Sequence, residues 1–194
     1  MMKDKKGDIL RAALVCLGEG QNPNEIKIAE IARRAGVGKG TVYEYFTSKQ
    51  ELFAESVLCF ISECLAKMQK AGGSGSFRER FFAVLKVLSG CLDNCRPLFY
   101  TVFLHQQFCS PEAEAAQRML SRQPEVEREL LLILDELLRQ AEAEGLFPRR
   151  EEQDSLFAFS CVVGALCFAG CSPTKQDRDL LFEKCYQTFL KLNQ

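Results

Sequence analysis

Between Gly36 and Gly40 the chain sets three glycines and a lysine in five positions, "GVGKG", and Tyr43 and Tyr45 follow one residue apart. Glycine lets a backbone come close to another surface, and lysine and tyrosine supply ammonium and hydroxyl donors. Together these are the groups that hold a phosphate oxygen. Two sources of phosphate have to be weighed, a bound nucleotide and a nucleic-acid backbone. A nucleotide P-loop needs G-x-x-x-x-G-K-[ST] between a strand and a helix. Here Gly38-Lys39 is followed by Gly40, and the position of the earlier glycine holds Arg33. The dinucleotide fingerprint G-x-G-x-x-G fails too, because Thr41 stands at its third glycine.

The elements around the motif favour the nucleic-acid backbone. Ile9, Ala13, Cys16 and Leu17 lie at i, i+4, i+7 and i+8, the apolar face of a first helix that "GEGQNPN" ends. Ile28, Ile31, Ala32 and Ala35 make a short second helix that stops at Gly36, where a left-handed backbone is expected. A third covers about 39 to 45, with Val37 and Val42 as apolar pegs that hold it against Ile31 and the first helix. Two short helices joined by a tight glycine-containing turn are the pattern of a helix-turn-helix. In such a unit Lys39, Gly40 and Thr41 stand at the start of the second helix, where base edges are read. Tyr43, Tyr45 and Lys49 are placed to donate to phosphates, which fixes register rather than sequence.

Charge is divided in the same sense. The chain carries a net charge of −1, yet residues 1–50 hold nine Lys/Arg against six Asp/Glu, a balance of +3, and the remainder 16 against 20, a balance of −4. A basic head on an acidic body fits a head that alone touches a polyanion.

Residues 9–53, "ILRAALVCLGEG…IKIAEIARRAGVGKGTVYEYFTSKQELF", resemble the N-terminal domain of the tetracycline-repressor (TetR) family of bacterial regulators. The family pattern is matched at Ile31, Ala32, Ala35, Gly36, Val37, Gly40, Thr41, Tyr43, Tyr45, Phe46, Lys49 and Leu52. The resemblance implies a homodimer that places its two N-terminal domains in successive major grooves of a palindromic double-stranded DNA operator. It also implies a C-terminal helical half that dimerises and encloses a small-molecule effector. By position, Lys39, Gly40 and Thr41 would face bases, and Tyr43, Tyr45 and Lys49 phosphates. Two departures stand out. Lys27 occupies the place of a frequent capping threonine, so that a lysine–phosphate contact would replace the cap. Leu17 replaces a frequent phenylalanine. Other uses stay open. Tyr43 could pack against the first helix, Arg33 and Arg34 could form a solvated face, and Lys5 and Lys6 are either an arm reaching DNA or a frayed end.

No strand alternation survives beyond this block, and the whole chain reads as all-α. Residues 1–50 are expected to form the DNA-binding domain and 51–194 a helical ligand-binding and dimerisation domain. Ser48 and Glu51 make a capping box that opens a helix running to about Lys70. "GGSGS" at 72–76 breaks the chain, and Ser76 with Glu79 caps the next helix, striped by Phe77, Phe81, Val84, Leu85 and Leu88. Further helices are expected after Pro97, from Ser110, and over Val126 to Ala141, the last closed by Gly145 and Pro148. The final two cover about 151–171 and 175–193.

Fifteen phenylalanines at helical spacing read mainly as core. A ligand cavity between helices would take Phe99, Phe103 and Phe108, with His105 as its polar group. For the dimer, Val163, Leu166 and Gly170 with Leu181 and Tyr186 are candidates, against an ordinary buried helix pair that gives the same pattern. The ten cysteines mostly sit in apolar helix patterns and read as small buried hydrophobes. Cys91 with Cys95 and Cys167 with Cys171, each four apart, keep thiol or metal sensing open as an alternative. One histidine cannot build a metal site unaided, so no metal and no cofactor is expected.

An enzyme is not expected either, since no clustered acid pair or cofactor loop is found. Nor does any run of roughly 18 uncharged apolar residues or a signal core suggest a membrane or secretion, so a cytoplasmic protein is expected. The reading is therefore a sequence-specific DNA-binding transcriptional regulator, a ligand-released repressor, with a ligand-independent DNA-organising factor of the same fold as the other class.

Overall fold

The structure is a computed structural model that describes residues 4–19, 24–99, 124–148, 152–169 and 175–193. Among these residues there are eight helices and no strand: α1 (Lys5–Gly18), α2 (Ile28–Ala35), α3 (Lys39–Tyr45), α4 (Lys49–Ala71), α5 (Phe77–Phe99), α6 (Pro124–Ala143), α7 (Glu152–Ala169) and α8 (Lys175–Asn193). They fall into two compact units, with α4 and α5 each contributing to both; the first runs to Ser62 and takes in the end of α5 from Cys95, and the second holds Glu63–Asn94 and the chain from Glu125.

The first unit is built on the apolar faces that the periodicity marks. Ile9, Ala13, Cys16 and Leu17 of α1, Ile28, Ile31, Ala32 and Ala35 of α2, and Val42 of α3 are buried in one core, closed by Phe46 and by Leu52 and Val57 of α4. A side chain of this class contributes about 1.5–3 kcal/mol when fully buried. Val37 is partly buried against the same core. α1 starts on Asp4, whose carboxylate accepts from Gly7 N–H at 3.0 Å, an N-cap on the chain's first helix.

At α4 the Ser48 hydroxyl accepts from Glu51 N–H at 3.1 Å. The Glu51 carboxylate returns one residue further back than the usual capping box, to the Thr47 N–H at 2.6 Å and to the Thr47 hydroxyl. α5 has the full reciprocal box: Ser76 N–H donates to Glu79 at 2.9 Å, and Glu79 N–H to Ser76 Oγ at 3.3 Å. α5 then runs through Pro97 instead of breaking there, at the cost of one backbone hydrogen bond. Gly145, at φ 69°, turns the chain out of α6, and Leu146 N–H bonds back to Ala141 at 3.0 Å.

The second unit holds an aromatic core. Phe77 and Phe81 of α5 stack on Tyr186 and Phe189 of α8, with ring centroids from 4.9 to 6.1 Å, and Phe147 meets Phe77 edge-on at 5.9 Å. Offset and edge-on pairs of this kind add about 0.5–1.5 kcal/mol each beyond area burial. α7 and α8 pack together, and their far ends are joined by a buried polar pair. Ser155 Oγ donates to Asn193 Oδ1 at 3.3 Å, and Asn193 Nδ2 donates to the Phe189 carbonyl at 2.8 Å. No helix among the described residues is long and apolar enough to cross a membrane.

Candidate nucleic-acid interface

The turn between α2 and α3 sets the site. Gly36 has φ 67° and ψ 34°, the left-handed region that a side chain disfavours. Its N–H bonds Arg33 at 3.2 Å, and Val37 N–H bonds Ala32 at 3.0 Å, so the last carbonyls of α2 are satisfied while the chain reverses. Gly38 then opens α3 in an extended conformation, and Thr41 N–H bonds its carbonyl at 3.0 Å.

α3 buries one residue, Val42, and turns the rest outward. Lys39 and Gly40 are exposed and Thr41 is half-buried. Tyr43 and Tyr45 are 52 % and 41 % exposed. Tyr43 thus lies mainly in solvent rather than in the core, with Lys39 Nζ 5.9 Å from its ring centroid, at the outer limit for a cation–π contact.

The two flanking glycines differ from Gly36. A Cβ on Gly40 would meet nothing within 4 Å, and one on Gly38 only Thr41 Oγ1 at 4.0 Å. Neither has a positive φ. Glycine inside a helix costs roughly 0.8–1.0 kcal/mol against alanine. At Gly40 the fold receives nothing in exchange.

Three lysines frame the face. Lys27 is the N-cap of α2, exposed and making no side-chain cap bond, as its place in the sequence implies. Lys49 is engaged within the chain: its ammonium donates to the Asn24 carbonyl at 2.9 Å and to that of Ile26 at 3.4 Å. Lys6 is neither arm nor frayed end. It sits in α1, 2.7 Å from Glu55 of α4 and 5.5 Å from the Phe46 ring centroid, and the hydrogen bond to Glu55 raises its pKa.

Of the arginine pair, Arg33 is exposed, whereas Arg34 grips Glu19 through two bonds of 2.6 and 2.8 Å and reaches Glu30 at 2.9 Å. The Arg34 guanidinium holds the Glu19 carboxyl below its usual range. Arg34 therefore ties α2 to the end of α1. Sequence spacing does not reveal this, because Glu19 lies 15 residues away. The Asp4 cap is legible as an aspartate just ahead of the first apolar helix face.

The remaining candidate residues are placed less evenly. Phe103, His105 and Phe108 lie outside the described residues, and Phe99 is the last described residue of α5. Of the dimer candidates, Leu166 and Tyr186 are buried in the second unit, Val163 and Leu181 are half-buried, and Gly170 lies outside the described residues. The exposed apolar side chains among the described residues of these helices are instead Phe157 at 65 %, Cys161 and Ala165 on α7 and Leu180 and Leu192 on α8. Their signal is the stretch 156–169 of α7, apolar but for Ser160 and so apolar on its outward as well as its inward side. Cys95 and Cys171 lie where no side chain is described, and no group of three metal-ligating side chains occurs among the described residues.

Comparison with known proteins agrees with this geometry. Residues 9–56 match the model of the bacterial regulatory proteins of the tetR family. A structure described as a TetR-family transcriptional regulator from Rhodococcus sp. superposes with a TM-score of 0.74 at 17% identity, over 97% of this chain and 100% of that one. The fatty acid degradation regulator FadR of Bacillus halodurans gives 0.69 at 19% identity, over 95% and 97%. FadR of Bacillus subtilis, in complex with stearoyl-CoA, gives 0.64 at 18% identity, over 96% and 97%. At such identities the likeness is one of fold. None of the curated proteins matches the chain by sequence.

Proposed function

We propose, from the premise that the chain's N-terminal domain is that of the tetR family of bacterial regulatory proteins, that it is a cytoplasmic repressor binding a palindromic operator as a homodimer. The observation that carries this reading is Gly40. It is an exposed helix glycine that neither backbone conformation nor packing requires, set between Lys39 and Thr41. Such a residue is explained by a surface that comes close from outside, and a major groove is that surface. Lys39, Gly40 and Thr41 then read base edges. Lys27, Tyr43, Tyr45 and the remaining ammonium proton of Lys49 hold phosphates.

The dimer contact is carried by the outward side of α7, Phe157, Cys161 and Ala165, with Leu180 of α8, while Val163 and Leu181 lie at its margin. Gly164 adds room, since a Cβ there would meet nothing within 4 Å. Release follows when a small apolar effector, bound among Phe99, Phe103, His105 and Phe108, shifts the spacing of the two α3 helices. The acyl-CoA held by one structural neighbour supports an apolar effector.

The test is selection of DNA from a random pool with a salt titration. A palindrome with half-sites about one helical turn apart and a steep salt slope is expected. No enriched sequence, or a slope near zero, overturns the reading.

A further inference from the structure

α3 carries one charged side chain that the reading of the site does not use. Glu44 is exposed, between Tyr43 and Tyr45, and follows Gly40 by four positions, so the two share one helix face a turn apart. Each stands two residues from Val42, the buried side chain of α3, and so about 160° around the helix from it. Gly40 and Glu44 therefore mark the most outward line of α3, the line that goes deepest into whatever covers the helix.

The Glu44 carboxylate has no partner in its own chain. Elsewhere in the first unit acids are held: Glu19 and Glu30 by Arg34, Glu51 by Thr47 and Glu55 by Lys6. Glu44 makes no hydrogen bond or ion pair among the described residues. No contact within the fold requires it, and its charge is repelled by the phosphates that the surrounding lysines and tyrosines attract. A hydrogen-bond donor inside the groove accounts for a carboxylate at this place.

We infer that Glu44 is a specificity-determining residue that accepts a hydrogen bond from the N4 amino group of a cytosine in each half-site. This rests on the reading of α3 as the helix that enters the major groove. An ionised carboxylate only accepts, so it selects bases that present a donor there, and the major groove presents two, cytosine N4 and adenine N6. Adenine sets its N7 acceptor beside N6, where the second carboxylate oxygen meets a lone pair. Cytosine has a C–H edge at that side instead, so the carboxylate favours cytosine. Against guanine or thymine the charge faces acceptors and stays unpaired, which penalises the wrong sequence as well as favouring the right one. Gly40 supplies the approach: with no side chain one turn earlier on the same face, the base edge comes within reach of Glu44.

The test selects DNA from a random pool with the whole wild-type protein, with Glu44→Gln and with Glu44→Ala, each checked for equal helix content. The wild type is expected to enrich a palindrome with a cytosine in each half-site at a position that becomes degenerate with Glu44→Ala. With Glu44→Gln the same position is expected to change to adenine, whose N6 and N7 pair with the amide. In competition with single-base variants of the selected site, loss of that cytosine is expected to weaken the wild type about tenfold and Glu44→Ala less than about threefold. A palindrome with the same bases from all three proteins, or one whose Glu44-dependent base is not cytosine, overturns this inference and leaves α3 as the reading helix. No palindrome from any of the three overturns both readings.

Discussion

The Lys49 ammonium donates to the Asn24 carbonyl at 2.9 Å, a bond from the first turn of α4 to the stretch that leads into α2. The same residue is the one proposed above to hold a phosphate, from its position in the family motif. Two carbonyls use two of its three protons, so one is left for DNA. Lys49→Gln is therefore expected to act twice. Loss of charged hydrogen bonds costs about 1.5–3 kcal/mol at most, which lowers Tm by several degrees in a chain of this size. The salt slope of operator binding falls by about 2 for a two-fold complex, near 0.9 for each phosphate that the side chain no longer neutralises. A lowered Tm with the slope intact would show that Lys49 only braces the fold.

Gly40 separates folding from binding in the opposite direction. Its Cβ position is open, so Gly40→Ala is expected to raise stability by up to about 1 kcal/mol through helix propensity. Operator affinity is expected to fall at least tenfold, because a methyl group then stands where the groove approaches. Thermal unfolding and a gel-shift titration on the same sample measure both. Unchanged affinity would remove the main support for α3 as the reading helix.

Lys27 offers a third separation. The helix it precedes has no side-chain cap, and replacing a non-capping residue by threonine contributes about 1 kcal/mol. Lys27→Thr is expected to raise Tm by roughly 2–4 °C while lowering the salt slope. If Tm rises and binding is unaltered at every salt concentration, Lys27 does not touch phosphate.

These three residues also show what the sequence could reveal. Helix faces, the positive φ of Gly36 and the missing cap at Lys27 are local properties, set by residues within one or two turns, and a single chain displays them. The Lys49–Asn24 and Arg34–Glu19 pairings each join different parts of the fold, and spacing does not encode them. Lys6 is ambiguous in the sequence for the same reason, since its partner Glu55 is a helix away. Tyr186 stands among polar neighbours in the sequence, yet Arg78 covers it at 5.2 Å and phenylalanines from α5 pack against it.

Acid should loosen the helix starts before it disturbs the cores. Glu51 is held below its usual range first by the Thr47 hydroxyl, then by backbone N–H groups, and Glu79 by the Ser76 backbone and hydroxyl. A depressed carboxyl contributes stability that is fully present above its unfolded value of 4.5 and is lost as pH falls through the folded value. Tm is therefore expected to be flat from pH 7 to 5 and to drop below about 4.5. Glu51→Gln should be less stable than the parent at pH 7, with the gap closing by pH 3. A gap that is constant across this range would assign Glu51 no role through its charge.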